Sequence, residues 1–151
     1  MLRERLSDAL KTSLKAKEQR RVSTLRLILA ALKDRDIAAR GEGKPEGLTD
    51  EQISALLQTM IRQRRDSIAL YEQGGRVELA EQEQQEIKII EEFLPRQMAD
   101  EEIASAVKTV IAELGAKAIK DMGHIMAALR ERYAGQMDFG KASQFAKQQL
   151  S

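Results

Sequence analysis

The chain has 151 residues, 42% hydrophobic and 32% charged, with 25 Lys and Arg against 24 Asp and Glu and a formal net charge of +1. That length suits one ordinary domain or two small ones, and the composition suits a packed core. Near-neutrality excludes a global polycation, so electrostatic binding must come from segregated charge.

The chain reads as all-α. Leu2, Leu6, Leu10 and Leu14 recur every four residues, and Val22, Leu25, Leu29 and Leu32 recur at three and four, so residues 1–40 form two helices or one bent long one. Arg40 to Leu48 then carries three Gly and one Pro, which makes a loop. Thr49 and Gln52 have the spacing of a reciprocal helix cap, with Leu48 placed to pack on Ile53. From there Ile53, Leu57, Met60, Ile61, Ile68 and Tyr71 mark a third helix that stops at Gly74-Gly75. A fourth runs to Pro95, with Leu79, Ile87, Ile90 and Leu94 inward and Glu78, Glu81, Glu83, Glu86, Glu91 and Glu92 largely outward. Beyond Pro95 three shorter stripes follow: Ile103 to Leu114, Met122 to Leu129, and Ala142 to Leu150, with Asp138 as N-cap of the last. The expected organisation is a helical N-terminal domain, 1–95, and a three-helix C-terminal tail, 96–151.

The absence of Cys and the single histidine, His124, exclude disulfides, thiolate metal sites, cysteine nucleophiles and two-histidine metal sites. Aromatic residues at 3% argue against base-stacking platforms. No phosphate-cradling glycine motif or G-x-S-x-G elbow occurs, so no cofactor and no catalysis by the chain alone are expected. The longest apolar run, Leu27 to Leu32, is six residues, too short for a bilayer, and the N-terminus has no apolar leader; a cytoplasmic protein without a membrane partner is expected.

Charge is segregated. Lys11, Lys15, Lys17, Arg20, Arg21 and Arg26 are interrupted by one acid, Glu18, and Arg62, Arg64 and Arg65 form a second cluster. Either these rows pair with the acidic fourth helix or they present a phosphate-binding surface. Pairing is favoured for Arg62 to Arg65, where Asp66 and Glu72 lie beside them. In the tail Lys117, Lys120, Lys141 and Lys147 flank helix starts and an exposed face, while His124 falls one position off its apolar stripe and so belongs to the exposed or boundary side of its helix.

Leu14-Lys15-Ala16-Lys17, Thr24-Leu25-Arg26, Met60 to Ile68, Gly74-Gly75-Arg76 with Leu79-Ala80-Glu81, and Glu91-Glu92-Phe93-Leu94-Pro95 together resemble the YqeY family across essentially the whole chain. Lys120 to Met126 and Gly135-Gln136-Met137-Asp138 resemble the tail shared with the GatB subunit of tRNA-dependent amidotransferase. Two departures stand out: Ala99 and Ala118 occupy helix-start positions where relatives place a hydroxyl cap, and His124 stands where relatives often carry Lys.

The resemblance implies a noncatalytic tRNA-binding module, with tRNA as partner and aminoacyl-tRNA or amidotransferase machinery as a further one. Any label of carbon–nitrogen ligase with glutamine as amido donor would reach this chain through the tail only. The alternatives are an accessory component of a glutamine-dependent amidotransferase and a helical protein-interaction adaptor with no RNA role. The tRNA-binding candidates are Lys117, Lys120, Gly123, His124, Lys141 and Lys147; no DNA specificity, catalytic residue or metal ligand is expected.

Overall fold

The first two helices are separate. The structure, a computed structural model, describes residues 1–150 and places α1 at Leu2–Lys15 and α2 at Gln19–Gly41. No Gly or Pro divides them. Lys17 takes a left-handed conformation, φ +58°, and the Lys17 and Glu18 amides donate to the Leu14 and Ser13 carbonyls, closing α1 with the double bond pattern usual for glycine stops. Gly75 at φ +71° ends the third helix in the same way, its amide donating to Glu72 and that of Arg76 to Tyr71.

The third and fourth helices, α3 (Asp50–Gln73) and α4 (Val77–Glu91), form a second hairpin, and α4 also lies against α2. The start of α3 has both halves of the expected cap: the Gln52 amide donates to Thr49 Oγ1 at 3.2 Å and the Thr49 amide to Gln52 Oε1 at 2.9 Å. The core of this unit is built from Leu2, Leu6, Leu25, Ile28, Leu32, Ile53, Leu57, Ile87, Ile90 and Phe93, among others. Ile28 is fully buried between the stripe positions read from the sequence, whereas Leu14, at the frayed end of its stripe, is 46% exposed. The outward placing of the α4 glutamates needs correcting at two positions: Glu86 is buried and Glu83 half-buried, because both turn toward α3, where Arg64 receives them.

One polar cluster ties the first unit together. Asp36, near the end of α2, is 7% exposed and receives both guanidinium nitrogens of Arg3 from α1, the second at 2.6 Å. Arg3 Nη2 also donates to the Leu48 carbonyl at 2.8 Å, and the Leu48 amide donates back to Asp36 Oδ1 at 2.9 Å. Gly47 makes the approach possible. Its φ is +77°, and a Cβ there would meet the Asp36 carboxyl group, with Cγ at 2.9 Å.

From Pro95 onward the chain packs as a second compact unit, distinct from Met1–Leu94. Its helices α5 (Asp100–Leu114), α6 (Met122–Tyr133) and α7 (Phe139–Leu150) contact one another pairwise, and a single 3₁₀ turn, Ile119–Asp121, leads into α6. Ile103, Val107, Val110, Ile125, Leu129, Met137, Ala142 and Ala146 form its core. The alanines at the helix starts are compensated from inside: Glu102 accepts from the Ala99 amide at 3.1 Å, and Asp121 accepts from the Lys117 and Ala118 amides at 3.1 and 3.2 Å. Each supplies the carboxylate half of a capping arrangement whose hydroxyl half alanine cannot make.

The Arg3 guanidinium, with help from the Leu48 amide, holds the Asp36 carboxyl down to about 2 against burial, which acts the other way. A carboxyl whose pKa is depressed in the folded state stabilises above its unfolded value and loses that contribution as pH falls through the folded one. Asp36→Asn is therefore expected to cost about 2–3 kcal/mol near neutrality. Urea titrations at pH 6 and at pH 2 should show the gap to wild type narrowing in acid, and a gap equal at both pH values would contradict this account. We further propose that the two units fold independently. Residues 95–151 expressed alone should be helical and melt cooperatively by circular dichroism, and a fragment without a transition would show the opposite.

Candidate nucleic-acid interface

The sequence-derived site residues all lie in the second unit. Lys117 is exposed in the turn before the 3₁₀ segment, Lys120 is exposed within it, and Gly123 and His124 are exposed in the first turn of α6. These four follow one another through one turn region. Lys141 and Lys147 stand instead on α7, where Lys147 is exposed and Lys141 is partly covered.

Two features of the local chemistry restrict what this region can do. First, carboxylates already occupy amides at two of the chain entries that a phosphate would approach. Asp121 takes those of Lys117 and Ala118, and Asp138 takes those of Gly140 at 2.9 Å and Lys141 at 3.2 Å. The Asp121 carboxyl is held below its ordinary range chiefly by those two amide bonds, with the neighbouring Lys120 and His124 acting in the same direction. Second, Lys141 Nζ lies 2.9 Å from Asp100 Oδ1, so one of the four lysines starts from an ion pair. Lys117, Lys120 and Lys147 make no ion pair among the described residues.

Gly123 has a different standing. Nothing lies within 4 Å of where its Cβ would be, so neither packing nor backbone conformation in this fold requires glycine there. Glycine inside a helix costs about 0.5–1 kcal/mol relative to alanine. A glycine that the interior does not use is suited to close approach from outside.

In the first unit the basic rows divide between the two readings left open by the sequence. Arg64 Nε donates to Glu86 Oε2 at 2.9 Å and lies 3.9 Å from Glu83, which settles it as an internal pair, with α4 rather than Asp66 or Glu72 supplying the acids. Burial and the neighbouring Glu86 push the Glu83 carboxyl up, against the pull of Arg64. Arg20 approaches Glu86 at 4.0 Å, and Arg21 pairs with Glu92. Arg5 and Arg21 also sit over the Phe93 ring, 5.6 and 5.9 Å from its centroid, so the Glu92-Phe93 pair near the chain's second proline serves as an anchor for two arginines. Lys11, Lys15, Lys17 and Arg26 are exposed and make no ion pair among the described residues.

The described residues contain no group of three or more His, Cys, Asp or Glu placed to hold a metal ion, and no helix among them is long and apolar enough to cross a membrane.

Comparison with known proteins gives a family and a set of relatives. The model of a family described as Yqey-like protein matches residues 3–150. Among curated relatives, the protein "Altered inheritance of mitochondria protein 41, mitochondrial" of Lachancea thermotolerans is 32% identical over 111 residues, covering 72% of this chain and 57% of the relative. Its counterpart in Kluyveromyces lactis is 31% identical over 112 residues, covering 72% and 58%. The Vanderwaltozyma polyspora protein is 32% identical over 89 residues, covering 59% and 46%. The match thus spans about half the length of these relatives.

These names overturn the cytoplasmic expectation, since the relatives are designated mitochondrial. The expectation rested on the lack of an apolar leader. Mitochondrial targeting segments are amphipathic and Arg-rich rather than apolar, so that criterion does not separate the two locations.

Proposed function

This chain belongs to the YqeY family, its match running over residues 3–150, and from that premise we propose that it is a noncatalytic tRNA-binding module. The observation that carries the reading is the exposed turn region Lys117–Lys120–Gly123–His124, where cations surround a helical glycine that the interior does not need. The resemblance of Lys120 to Met126 and Gly135 to Asp138 to the tail of the GatB subunit supports tRNA as the ligand.

Contacts of this kind recognise phosphate and shape. With the carboxylates of Asp121 and Asp138 standing at the entries to the 3₁₀ turn and α7, phosphate is met by side chains, and with few aromatic residues no base is stacked. Discrimination among tRNAs is accordingly weak. Any glutamine-dependent chemistry associated with the module comes from another subunit, because one histidine and no cysteine leave this chain without an oriented nucleophile and base.

Titration of labelled tRNA into the full chain at several salt concentrations tests the reading. The three lysines of the tail contribute roughly 3 to the magnitude of the slope of log affinity against log salt, and the double change Lys117→Ala, Lys120→Ala should lower that slope by about 2. Gly123→Ala should leave both that slope and the melting temperature undiminished while weakening binding, because it adds bulk without removing charge. Absence of binding at low salt, or binding indifferent to all three changes, would refute the assignment.

A further inference from the structure

The first unit carries a charge division that its internal pairing leaves uncancelled. Residues 1–40 hold eleven Lys and Arg against five Asp and Glu, whereas residues 41–94 hold six against twelve. If the division served only to hold the helices together, the basic side chains would face the acidic ones. Some do: Arg3 meets Asp36, Arg20 approaches Glu86 and Arg21 meets Glu92. The rest do not. Lys11, Lys15, Arg26 and Lys33 are exposed and have no acidic partner among the described residues, and Arg40, also exposed, donates through Nε to the Pro45 carbonyl at 3.3 Å and adds its charge to that of Arg3 around Asp36.

Their spacing places them together. Arg26, Lys33 and Arg40 are seven residues apart on α2, and two turns of helix return each to within about 20° of the one before. Lys11 and Lys15 are four apart on α1 and share one row. The seam between the helices is fixed by a recess lined by Arg3 and Ser7 of α1 and by Leu29, Lys33, Asp36 and Arg40 of α2, which sets Lys33 and Arg40 on the α1 side of α2. At 1.5 Å rise per residue the α2 row is about 21 Å long.

We propose that this outer face of the α1–α2 hairpin is a second surface for folded RNA, meeting the phosphate backbone through Lys11, Lys15, Arg26, Lys33 and Arg40. The proposal rests on the tRNA-binding reading for its ligand, but on different residues in a different unit. A row of point charges with no aromatic side chain among them suits a phosphate backbone and carries no base readout. Such charges gain affinity by releasing condensed counterions, and a folded RNA offers several phosphates to a row of this length.

The test compares two variants of the full chain, Lys11→Gln/Arg26→Gln/Lys33→Gln and Lys117→Ala/Lys120→Ala, each first shown to keep the wild-type helical signal and melting temperature. Bulk tRNA and vesicles of phosphatidylcholine with one third phosphatidylserine serve as probes. The proposal expects the triple variant to lower the tRNA salt slope by between two and three and to weaken binding at least tenfold at low salt. A slope unchanged in the triple variant but reduced in the tail variant overturns this surface while the tail reading stands. A slope reduced only in the triple variant supports this surface and removes the tail assignment. Vesicle binding that the triple variant abolishes, with no tRNA binding by wild type, identifies an anionic lipid surface and overturns the proposal.

Discussion

The Asp36 carboxylate is the constraint on which the first unit depends. It is nearly buried, and a buried charge is tolerated only when paired and hydrogen-bonded. Arg3 and the Leu48 amide supply that satisfaction together, so the start of α1, the end of α2 and the chain entering α3 must converge on one point. The loop that carries three glycines and a proline is therefore pinned at its end, and Gly47 is required there because both its backbone conformation and its lack of a side chain are used. Thr49 caps α3 two residues later, so the position of that helix follows from the same cluster.

With the hairpin fixed, sidedness decides what each basic residue can do. Cations on the α4 side of α2 and α3 lie in partly desolvated surroundings where an opposite charge is worth having, and Arg20, Arg21 and Arg64 find Glu86, Glu92 and Glu83 there. On the outer side Arg3 is taken by Asp36 and Arg40 by the Pro45 carbonyl, while Lys11, Lys15, Arg26 and Lys33 remain exposed and without an ion pair among the described residues. In the second unit the pairs lie at the surface instead: Arg96 binds Glu102 in a two-bond fork, Arg132 meets Glu113 and Lys141 meets Asp100, while Lys117 and Lys120 make no ion pair among the described residues. A net charge of +1 thus conceals local surfaces of quite different character.

The helical class, the α3 cap and most core stripes were legible because helical periodicity and capping are local properties. The break at Lys17 was not, since a left-handed lysine leaves no mark in composition. Nor was Asp36 legible: an acid among Lys33, Asp34 and Arg35 looks like solvated surface until the fold brings Arg3 from 33 residues away. Glu86 was misread for a related reason. Its helix is rich in glutamates, and only the position of Arg64 distinguishes the one that turns inward. In the candidate site, exposure of His124 followed from its offset from the apolar stripe, but the ion pair of Lys141 joins residues 41 apart and depends on how α5 and α7 meet. Location failed on chemistry rather than geometry, because an apolar-leader test does not examine amphipathic targeting segments.

The way helices begin in the second unit has a consequence for recognition. A helix start with free amides and a partial positive charge is a general anion site, and such a site would bind phosphate with defined geometry. Here Asp138 occupies the Gly140 and Lys141 amides of the first turn of α7, while Glu102 and Asp121 stand as anions at the entries to α5 and the 3₁₀ turn, accepting from the amides that precede them. An incoming phosphate would have to displace an intramolecular anion whose effective concentration is high. Lysine side chains escape that competition, since they extend past the caps into solvent and need no fixed direction of approach. Anion binding on such a surface is governed by the number of charges and by where they stand. The placement of the uncommitted cations is in turn set by the pairing that removes the others.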